Sequence, residues 1–338
     1  MKIAILGAGF YGLHIGSRLL GMGLDVDVYE REASIFSGAS AKNQFRLHQG
    51  FHYARNFRTR TQSRDGFFRF IERYGDLTRE VPNNFYLVPK GDSLIDFQTY
   101  KSIMTSSGLS FRDSLPPKDI VFDCGAIVTD ERVLLVEKAR QLFLEKMGSK
   151  IQFNWTGGLS INEASVLIAG RNYNYLIDCT WGHNRLPEGF FYESTLLLYF
   201  RLKDGADFNK ALTFVDGPLW SIYPTEDEHI FTLSSVPYTP IVKSRSLSEV
   251  RESINRFSGE DLRSRKSLML RQVERYFPNF QEIFEFRAPQ FSIKTKPTGD
   301  DDDRSCYVSK LGPYITVLSG KIDNIFEASH LVGDMIGL

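Results

Sequence analysis

The sequence predicts an α/β fold of two interleaved domains, one with a parallel sheet and one, of α+β type, with a mainly antiparallel sheet. A strand–helix–strand pattern fills the first thirty residues. A further apolar strand, Tyr175 to Cys179, and a last helix, Asn324 to Ile336, continue the α/β character in the middle and at the end of the chain. Between them, short strands separated by turn residues indicate an antiparallel sheet.

The first strand, Lys2 to Leu6, leads into the glycine turn Gly7-Ala8-Gly9-Phe10-Tyr11-Gly12. This G-x-G-x-x-G pattern lies between a buried strand and an amphipathic helix, the context of a Rossmann dinucleotide-binding unit. Gly7 permits the tight turn, Gly9 lets phosphate oxygens approach the backbone, and Gly12 lets the helix pack closely on the strand.

The second strand, Asp25 to Tyr29, ends at Glu30, whose carboxylate is expected to accept hydrogen bonds from ribose hydroxyls. The N–H groups at the start of the first helix are expected to face the diphosphate, because a helix N-terminus carries unpaired donors and a partial positive charge. Besides the three glycines, the predicted dinucleotide-binding residues of this unit are Phe10, Tyr11, Glu30 and Arg31.

Bulk composition argues against several classes of partner. The 338 residues include 41 basic and 41 acidic side chains, so the formal net charge is zero and neither nucleic acid nor a membrane is expected as a partner. The three cysteines are far apart and fit neither a disulfide framework nor a zinc site, and no metal is predicted.

The chain begins directly in its first strand, and no apolar run reaches membrane-spanning length, so a cytoplasmic location is expected. A homo-oligomer remains open.

The order of helical and strand patterns predicts where the chain passes between the two domains. We expect segments 1–80, 130–184 and 296–338 to form the dinucleotide-binding domain, and segments 81–129 and 185–295 to form the second domain, which would hold the substrate. Asp130 is a predicted N-cap for a helix that carries Val133, Leu134 and Val136 near its start.

Two segments favour FAD over a nicotinamide as the dinucleotide. The strand from Tyr175 ends in the turn Thr180-Trp181-Gly182, which resembles the apolar run followed by A-T-G in glutathione-reductase-like flavoproteins, although Trp181 replaces a smaller residue. The small-residue loop from Ser37 to Asn43 offers N–H and hydroxyl groups to diphosphate and ribityl oxygens. The predicted flavin-binding residues of these segments are Ser40, Asn43, Thr180, Trp181 and Gly182.

The stretch from Ala39 to Tyr53 has S-x-x-N, His, Gly and Tyr in an order that resembles the D-amino-acid-oxidase/glycine-oxidase superfamily of FAD-dependent oxidoreductases, notably members that oxidise 2-hydroxy acids. The resemblance extends in order over the whole chain. It implies a glutathione-reductase-like FAD-binding domain and hydride transfer to the flavin from a C–H next to nitrogen or oxygen. The implied substrate is a small polar or anionic molecule, such as an amino acid, a hydroxy acid or a sugar derivative.

The turn before the last helix, Ser319 to Asn324, departs from the glycine-rich run common in that superfamily. The N-terminus of the last helix still offers N–H groups, so we expect this turn beside the flavin. Lys321 would stabilise the reduced flavin by its charge; the alternative is a surface lysine. The predicted cofactor residues of the turn are Gly320, Lys321, Ile322, Asp323 and Asn324.

A dense polar cluster follows the small-residue loop. Arginine binds carboxylates or phosphates through paired hydrogen bonds, and histidine is a base near neutral pH. His48 matches the active-region histidine of the superfamily by position and is the first candidate for a base; otherwise these histidines would hydrogen-bond to backbone or flavin without titrating. The predicted catalytic residues are Arg46, His48, His52, Tyr53 and Lys321.

Two other functions are compatible with the same motifs. A redox-neutral flavin-dependent mutase or isomerase would use the basic cleft to bind a nucleotide sugar. A non-catalytic flavin-binding scaffold would explain the altered turn at Gly320 to Asn324. Neither the substrate nor the electron acceptor follows from the sequence.

Overall fold

The computed structural model describes residues 1–299 and 303–338. The α-helices are α1 (Phe10–Gly21), α2 (Phe57–Tyr74), α3 (Phe97–Ser106), α4 (Val136–Met147), α5 (Leu247–Asn255), α6 (Gly259–Glu274), α7 (Phe280–Ile283) and α8 (Ile325–Ile336). The strands are β1 (Lys2–Leu6), β2 (Asp25–Tyr29), β3 (Arg46–Leu47), β4 (Thr78–Glu80), β5 (Asn83–Pro89), β6 (Arg112–Ser114), β7 (Cys124–Thr129), β8 (Arg132–Leu134), β9 (Ile151–Gln152), β10 (Leu159–Ile161), β11 (Val166–Ile168), β12 (Arg171–Tyr173), β13 (Tyr175–Asp178), β14 (Phe190–Leu202), β15 (Lys210–Phe214), β16 (Trp220–Pro224), β17 (Ile230–Ser235), β18 (Pro240–Ser244), β19 (Phe284–Pro297), β20 (Tyr307–Leu311) and β21 (Tyr314–Leu318).

The first sheet has the strand order β20-β21-β13-β1-β2-β9 and is parallel except for the β20–β21 hairpin. Successive side chains of β1 point to opposite faces, as expected for a strand. Ile5 packs with α1, α2, α4 and α8 on one face, whereas Ala4 packs on the small β10-β11-β12 sheet on the other. The helix-covered parallel sheet predicted from the first thirty residues is therefore confirmed.

The second sheet has the order β18-β14-β17-β16-β15-β5-β7-β6, and β19 pairs with β14 along its length. Its neighbours are antiparallel except β15 and β5, so the mainly antiparallel character predicted for this part is also confirmed. Helices α6 and α7 cover one face through Met269 and Phe280, which pack with Phe200 and Trp220. The domain boundaries at residues 80, 130, 184 and 296 stay a prediction.

A third sheet, β3-β8-β4, corrects the expected helix start at Asp130. Val133 pairs with Arg46 on one side and with Arg79 on the other, so Arg132–Leu134 is a strand. Helix α4 begins only at Val136, after Leu135. The apolar residues of the segment Arg132–Leu134 are compatible with a helix or a strand. Hydrogen bonding to β3 on one edge and to β4 on the other makes the segment a strand.

Among residues 1–299 and 303–338, no helix combines the length and the apolar character that crossing a membrane requires.

Candidate functional site

A cavity of about 1050 Å³ lies between the first and the second sheet. Its wall includes the glycine turn, the 37–43 loop, the segment after β3, the end of β13, the cavity-facing side of β14, β16 and β19, and the turn before α8. Small-molecule sites usually enclose about 300–1,000 Å³, so the space suits a large cofactor together with a substrate.

The glycine turn is formed by close backbone contacts. Gly7 has a φ of +92°, and a Cβ there would lie 3.1 Å from the carbonyl oxygen of Cys179. A Cβ on Gly9 would lie 3.0 Å from Ser40 Oγ, and one on Gly12 would lie 2.0 Å from the carbonyl oxygen of Gly7. Substitution at Gly12 would therefore separate α1 from the turn.

Glu30 supports the same turn from the end of β2. Its Oε2 accepts a hydrogen bond from the Ala8 N–H at 2.6 Å, and its Oε1 accepts one from the Glu32 N–H at 2.9 Å. Helix α1 has no acidic residue in its first turn and no side-chain cap on Gly9, and the Phe10 N–H donates to Ser40 Oγ at 3.1 Å. The start of α1 thus presents backbone donors and the helix dipole to an anion in the cavity.

Most of the predicted cofactor residues border this one cavity. They are Gly7, Gly9, Phe10, Tyr11, Glu30, Arg31, Ser40, Asn43, Thr180, Trp181, Gly320, Lys321 and Ile322. Four others are absent from its wall, namely Gly12, Gly182, Asp323 and Asn324. Of these, Asp323 and Asn324 are buried in the 3₁₀ turn Ile322–Asn324, and Asp323 packs on α2 at Gly66.

The five predicted catalytic side chains also line the cavity, beside the turn before α8. The ring centroids of His48 and His52 lie 6.2 Å apart, and those of His52 and Tyr53 lie 5.4 Å apart. Lys321 Nζ lies 4.3 Å from the centroid of the Tyr53 ring. Lys321 is mostly buried, so the surface-lysine alternative is wrong.

Burial and nearby cations keep both histidines neutral. Burial, together with the charge of Lys321, lowers the pKa of His48 to about 3. Burial, Lys321 and His48 lower the pKa of His52 well below its ordinary value. Both rings are therefore unprotonated near neutral pH.

Glu131, which no sequence pattern predicted as a site residue, is a fully buried carboxylate close to His48. Its Oε1 accepts a hydrogen bond from the Gln49 N–H at 2.8 Å and lies 3.6 Å from His48 Nδ1. Its Oε2 accepts from the Tyr86 hydroxyl at 2.8 Å and lies 3.8 Å from Arg46 Nη1. Burial raises the pKa of this carboxyl, but His48, Arg46 and the Gln49 N–H outweigh it and lower the pKa to about 2.

Arg46 is the cation of this buried group. Its guanidinium carbon lies 3.9 Å from the centroid of the Tyr223 ring, and its Nη1 donates to the Tyr86 hydroxyl at 3.2 Å. Among the described residues, Arg46 Nε and Nη2 and Nδ1 of both His48 and His52 are buried without a hydrogen-bond partner. His48 Nδ1 faces Glu131, so the other three atoms are the ones that a ligand or a water molecule in the cavity would satisfy.

The far end of the cavity combines apolar and hydroxyl groups from the second sheet. The rings of Phe214 and Trp220 pack with centroids 4.6 Å apart and tilted by 31°, and both residues line the space. Ser221 Oγ lies 2.9 Å from Ser234 Oγ and accepts from Gln44 Nε2 at 3.1 Å. This end suits a small polar molecule with an apolar face.

A row of charges lies on the same wall where β18, β14 and β19 adjoin. The buried Glu193 pairs with Lys296 and lies 3.8 Å from Lys243. Burial and the neighbouring Lys296 lower the pKa of Lys294 to about 8. No sequence pattern predicted this row, because its members come from three separate strands.

Comparison with known proteins places this geometry in a family. No family model matches the chain. The chain is 44% identical over 339 residues to the FAD-dependent monooxygenase FPY4 of Fusarium mangiferae, with 99% of this chain and 91% of that protein covered.

The fold of this chain is similar to that of glycine oxidase from Geobacillus kaustophilus, with a TM-score of 0.72, 11% identity and coverage of 99% and 95% of the two chains. NikD, an unusual amino acid oxidase essential for nikkomycin biosynthesis, gives a TM-score of 0.71 at 12% identity over 98% of this chain and 93% of its own. The predicted resemblance to the glycine-oxidase superfamily and the predicted fold class are confirmed.

Proposed function

This chain belongs to the family of FAD-dependent monooxygenases that includes FPY4, and we propose from that premise that its own substrate, rather than a nicotinamide, reduces the flavin. The substrate carbon would carry a hydroxyl or amino group and lose a hydride. The fold similarity to glycine oxidase and NikD supports this choice, since both of those names describe oxidases.

FAD is the cofactor, and the residues of the cavity fit it. Gly7 and Gly9 leave no room for a side chain where the turn faces the cavity, Glu30 offers a carboxylate for ribose hydroxyls, and the start of α1 offers N–H donors for the diphosphate. When bound, FAD would supply two-electron redox chemistry, with the substrate as the proposed reductant and dioxygen as the proposed oxidant. His48 and His52 also line this space.

His48 is the proposed base. Its depressed pKa leaves the ring neutral, and Glu131 beside Nδ1 leaves Nε2 to take a proton from the substrate hydroxyl or amine. The carboxylate of Glu131 would then stabilise the imidazolium that forms. His52, also neutral and on the same wall, is the second candidate for this role.

Lys321 is the proposed electrostatic stabiliser. It is a mostly buried cation on the turn before α8, and its backbone carbonyl accepts a hydrogen bond from the Tyr11 hydroxyl, which ties the turn to α1. Negative charge that develops on the cofactor is stabilised by a fixed cation in a site with little water. Arg46 and Tyr53 complete this wall.

The single observation that carries the proposal is the continuity of the cavity. One space is bordered both by Gly7 and Glu30 and by His48, His52 and Lys321. A cofactor held at its diphosphate by the glycine turn can therefore reach neutral bases and a buried cation without any rearrangement of the chain.

The test is anaerobic reduction of the flavin in the purified protein. Amino acids, hydroxy acids, sugar derivatives and a reduced nicotinamide are each added, and loss of the oxidised-flavin absorbance is followed. We expect bleaching by a member of the first three groups and recolouring when dioxygen is admitted. Bleaching by the reduced nicotinamide alone would overturn the proposal.

Product analysis separates the remaining reactions. Substrate dehydrogenation yields a carbonyl or imine product and hydrogen peroxide, with no label from ¹⁸O-dioxygen in the organic product. Incorporation of one labelled oxygen atom identifies oxygen insertion instead. A product of the same oxidation state as its substrate identifies the redox-neutral isomerase.

A further inference from the structure

Arg55 and Asp216 form an ion pair in the wall of the cavity. Arg55 Nε donates to Asp216 Oδ2 at 2.5 Å, and Arg55 Nη2 donates to Asp216 Oδ1 at 3.3 Å. Arg55 follows β3 in the chain, Asp216 lies in the turn between β15 and β16, and the preceding residues Ala54 and Val215 pack in one apolar cluster. Two parallel hydrogen bonds of this kind are how arginine binds a carboxylate group.

The backbones of both partners are held in place. The Asp216 N–H donates to Ser93 Oγ at 2.9 Å, and the Asp216 carbonyl accepts from the Leu94 N–H at 2.8 Å. The carbonyls of the two residues before Arg55 accept hydrogen bonds from Arg60 Nη1 at 2.7 Å and 3.0 Å. The ion pair is therefore preorganised, and a ligand that opens it gives up two charge-assisted hydrogen bonds.

Arg55 is close in the chain to the proposed catalytic residues, and its partner Asp216 lines the same cavity. Arg55 comes directly after the segment that contains His52 and Tyr53, and all three line the cavity. The side chain of Asp216 is 11% exposed, whereas that of Arg55 is 45% exposed. An arginine in this position would bind an anionic substrate next to the histidines if its fork were not already held by Asp216.

We propose that Asp216 is a specificity-determining residue, which occupies Arg55 and so excludes a carboxylate from this part of the cavity. The inference rests on the proposed function and narrows its substrate class. The group bound beside the Arg55–Asp216 pair is an uncharged hydroxyl, amine or carbonyl, and not the carboxylate of an amino acid or a hydroxy acid.

Electrostatics gives the reason. A carboxylate placed between the partners meets the like charge of Asp216, and binding it to Arg55 leaves Asp216 largely buried beside another anion. An uncharged polar group can hydrogen-bond to the outer edge of either partner without opening the pair. Specificity of this kind comes from penalising the wrong ligand as much as from contacts with the right one.

The experiment uses benzoate and benzamide, which have nearly the same shape and differ in charge. Each is titrated into the flavin-loaded protein, and the shift of the flavin absorption spectrum gives Kd without any turnover. We expect the wild-type protein to favour benzamide, and Asp216→Asn to lower the Kd of benzoate at least about tenfold while that of benzamide changes little. The matched control is Asp123→Asn, which removes an exposed aspartate 3.8 Å from Lys90.

Two results would overturn the inference. One is an Asp216→Asn protein that binds benzoate no better than the wild type does. The other is a gain that persists in the double variant Asp216→Asn/Arg55→Gln, because the gain must come from Arg55. If Asp216→Asn fails to retain flavin, the single variant Arg55→Gln is measured instead. It must weaken the binding of benzoate more than that of benzamide, and equal effects on the two ligands would refute the inference. Failure of the proposed function is distinguishable, since it would show as a flavin that no substrate reduces while these binding shifts persist.

Discussion

The carboxylate of Glu131 lies 3.6 Å from Nδ1 of His48, in a position where Glu131 is fully buried. Arg46 and Tyr86 contact the other carboxylate oxygen, so Glu131 links the cation of the cluster to the proposed base. A buried anion held in this way orients the imidazole and stabilises its protonated form during proton transfer.

Replacing Glu131 by glutamine should therefore affect stability and activity together. Glu131→Gln leaves the buried Arg46 without its counter-charge, and loss of one partner of a buried ion pair costs about 3–5 kcal/mol of the free energy of unfolding. Chemical denaturation measures this change. The exposed Glu163→Gln serves as the control, with no effect expected.

The double variant Glu131→Gln/Arg46→Met tests the cause. It removes both buried charges, so its loss of stability should be smaller than the sum of the two single losses. Additive losses would show that the two charges do not stabilise each other. In variants that fold, the rate of flavin reduction should still be low, because His48 has lost the anion that orients it.

His48 should act as a base over a wide pH range. His48→Gln is expected to slow flavin reduction by the substrate by about 10²–10⁴-fold, the usual contribution of a general base, while flavin content is unchanged. Because burial and Lys321 lower the pKa of His48 to about 3, the wild-type rate should show no fall with an apparent pKa near the ordinary histidine value. Stopped-flow measurement of flavin reduction between pH 5 and pH 8 gives both the rate lost in His48→Gln and the pH dependence of the wild-type rate.

His330→Gln is the matched control for this prediction, since His330 is exposed on α8 and far from the cavity wall. A wild-type profile that falls below a pKa near 6.5 would show that His48 is protonated in the free protein. Equal losses in His48→Gln and His52→Gln would instead indicate that the two rings act as a unit.

The dinucleotide end of the cavity was predictable because its signal is local. The glycine turn, Glu30 and Ser40 occur within the first forty residues, and their backbone roles require particular residue types at fixed spacing. The position of Lys321 also followed from local logic, since it comes just before the last helix.

Glu131 was not predictable, for a definite physical reason. Val133 and Leu134 are compatible with either a helix or a strand, and the predicted helix with Asp130 as its N-cap gave Glu131 no partner in the cavity. Pairing of β8 with β3 and β4, which are distant in sequence, makes it a strand and turns Glu131 towards Arg46. The Arg55–Asp216 pair was missed likewise, because its members are 161 residues apart.

The glycine turn gives a direct test of cofactor binding. Gly9→Val puts a side chain where a Cβ alone would lie 3.0 Å from Ser40 Oγ, next to the start of α1. Flavin content of the purified variant should fall to a small fraction of the wild-type value, measured from the visible absorbance of the flavin that denaturation releases. Gly158→Ala is the control, because a Cβ on Gly158 meets nothing within 4 Å. A Gly9→Val protein with full flavin content would contradict the assignment of the diphosphate to this turn.

Asp323 should make the stability of the protein fall as the pH rises. It is fully buried, its Oδ1 accepts a hydrogen bond from Ser63 Oγ at 3.3 Å, and its Oδ2 has no hydrogen-bond partner among the described residues. Burial raises its pKa from 3.8 to about 7, although Lys321 acts in the opposite direction. The folded state then binds the proton more tightly than the unfolded state does. The stabilisation is complete below the unfolded pKa and is lost as the pH rises through about 7.

Asp323→Asn removes this titration and should be more stable than the wild type at pH 8 but not at pH 5, with a difference on the order of 2–4 kcal/mol. The comparison must be made against the variant because the buried His14, whose pKa burial lowers to about 3, acts in the opposite sense below the ordinary histidine pKa. That contribution is common to both proteins and cancels in the difference. The melting temperatures of the two flavin-loaded proteins at pH 5 and pH 8 measure this stability difference. A difference between variant and wild type that is the same at both pH values would mean that Asp323 is ionised throughout.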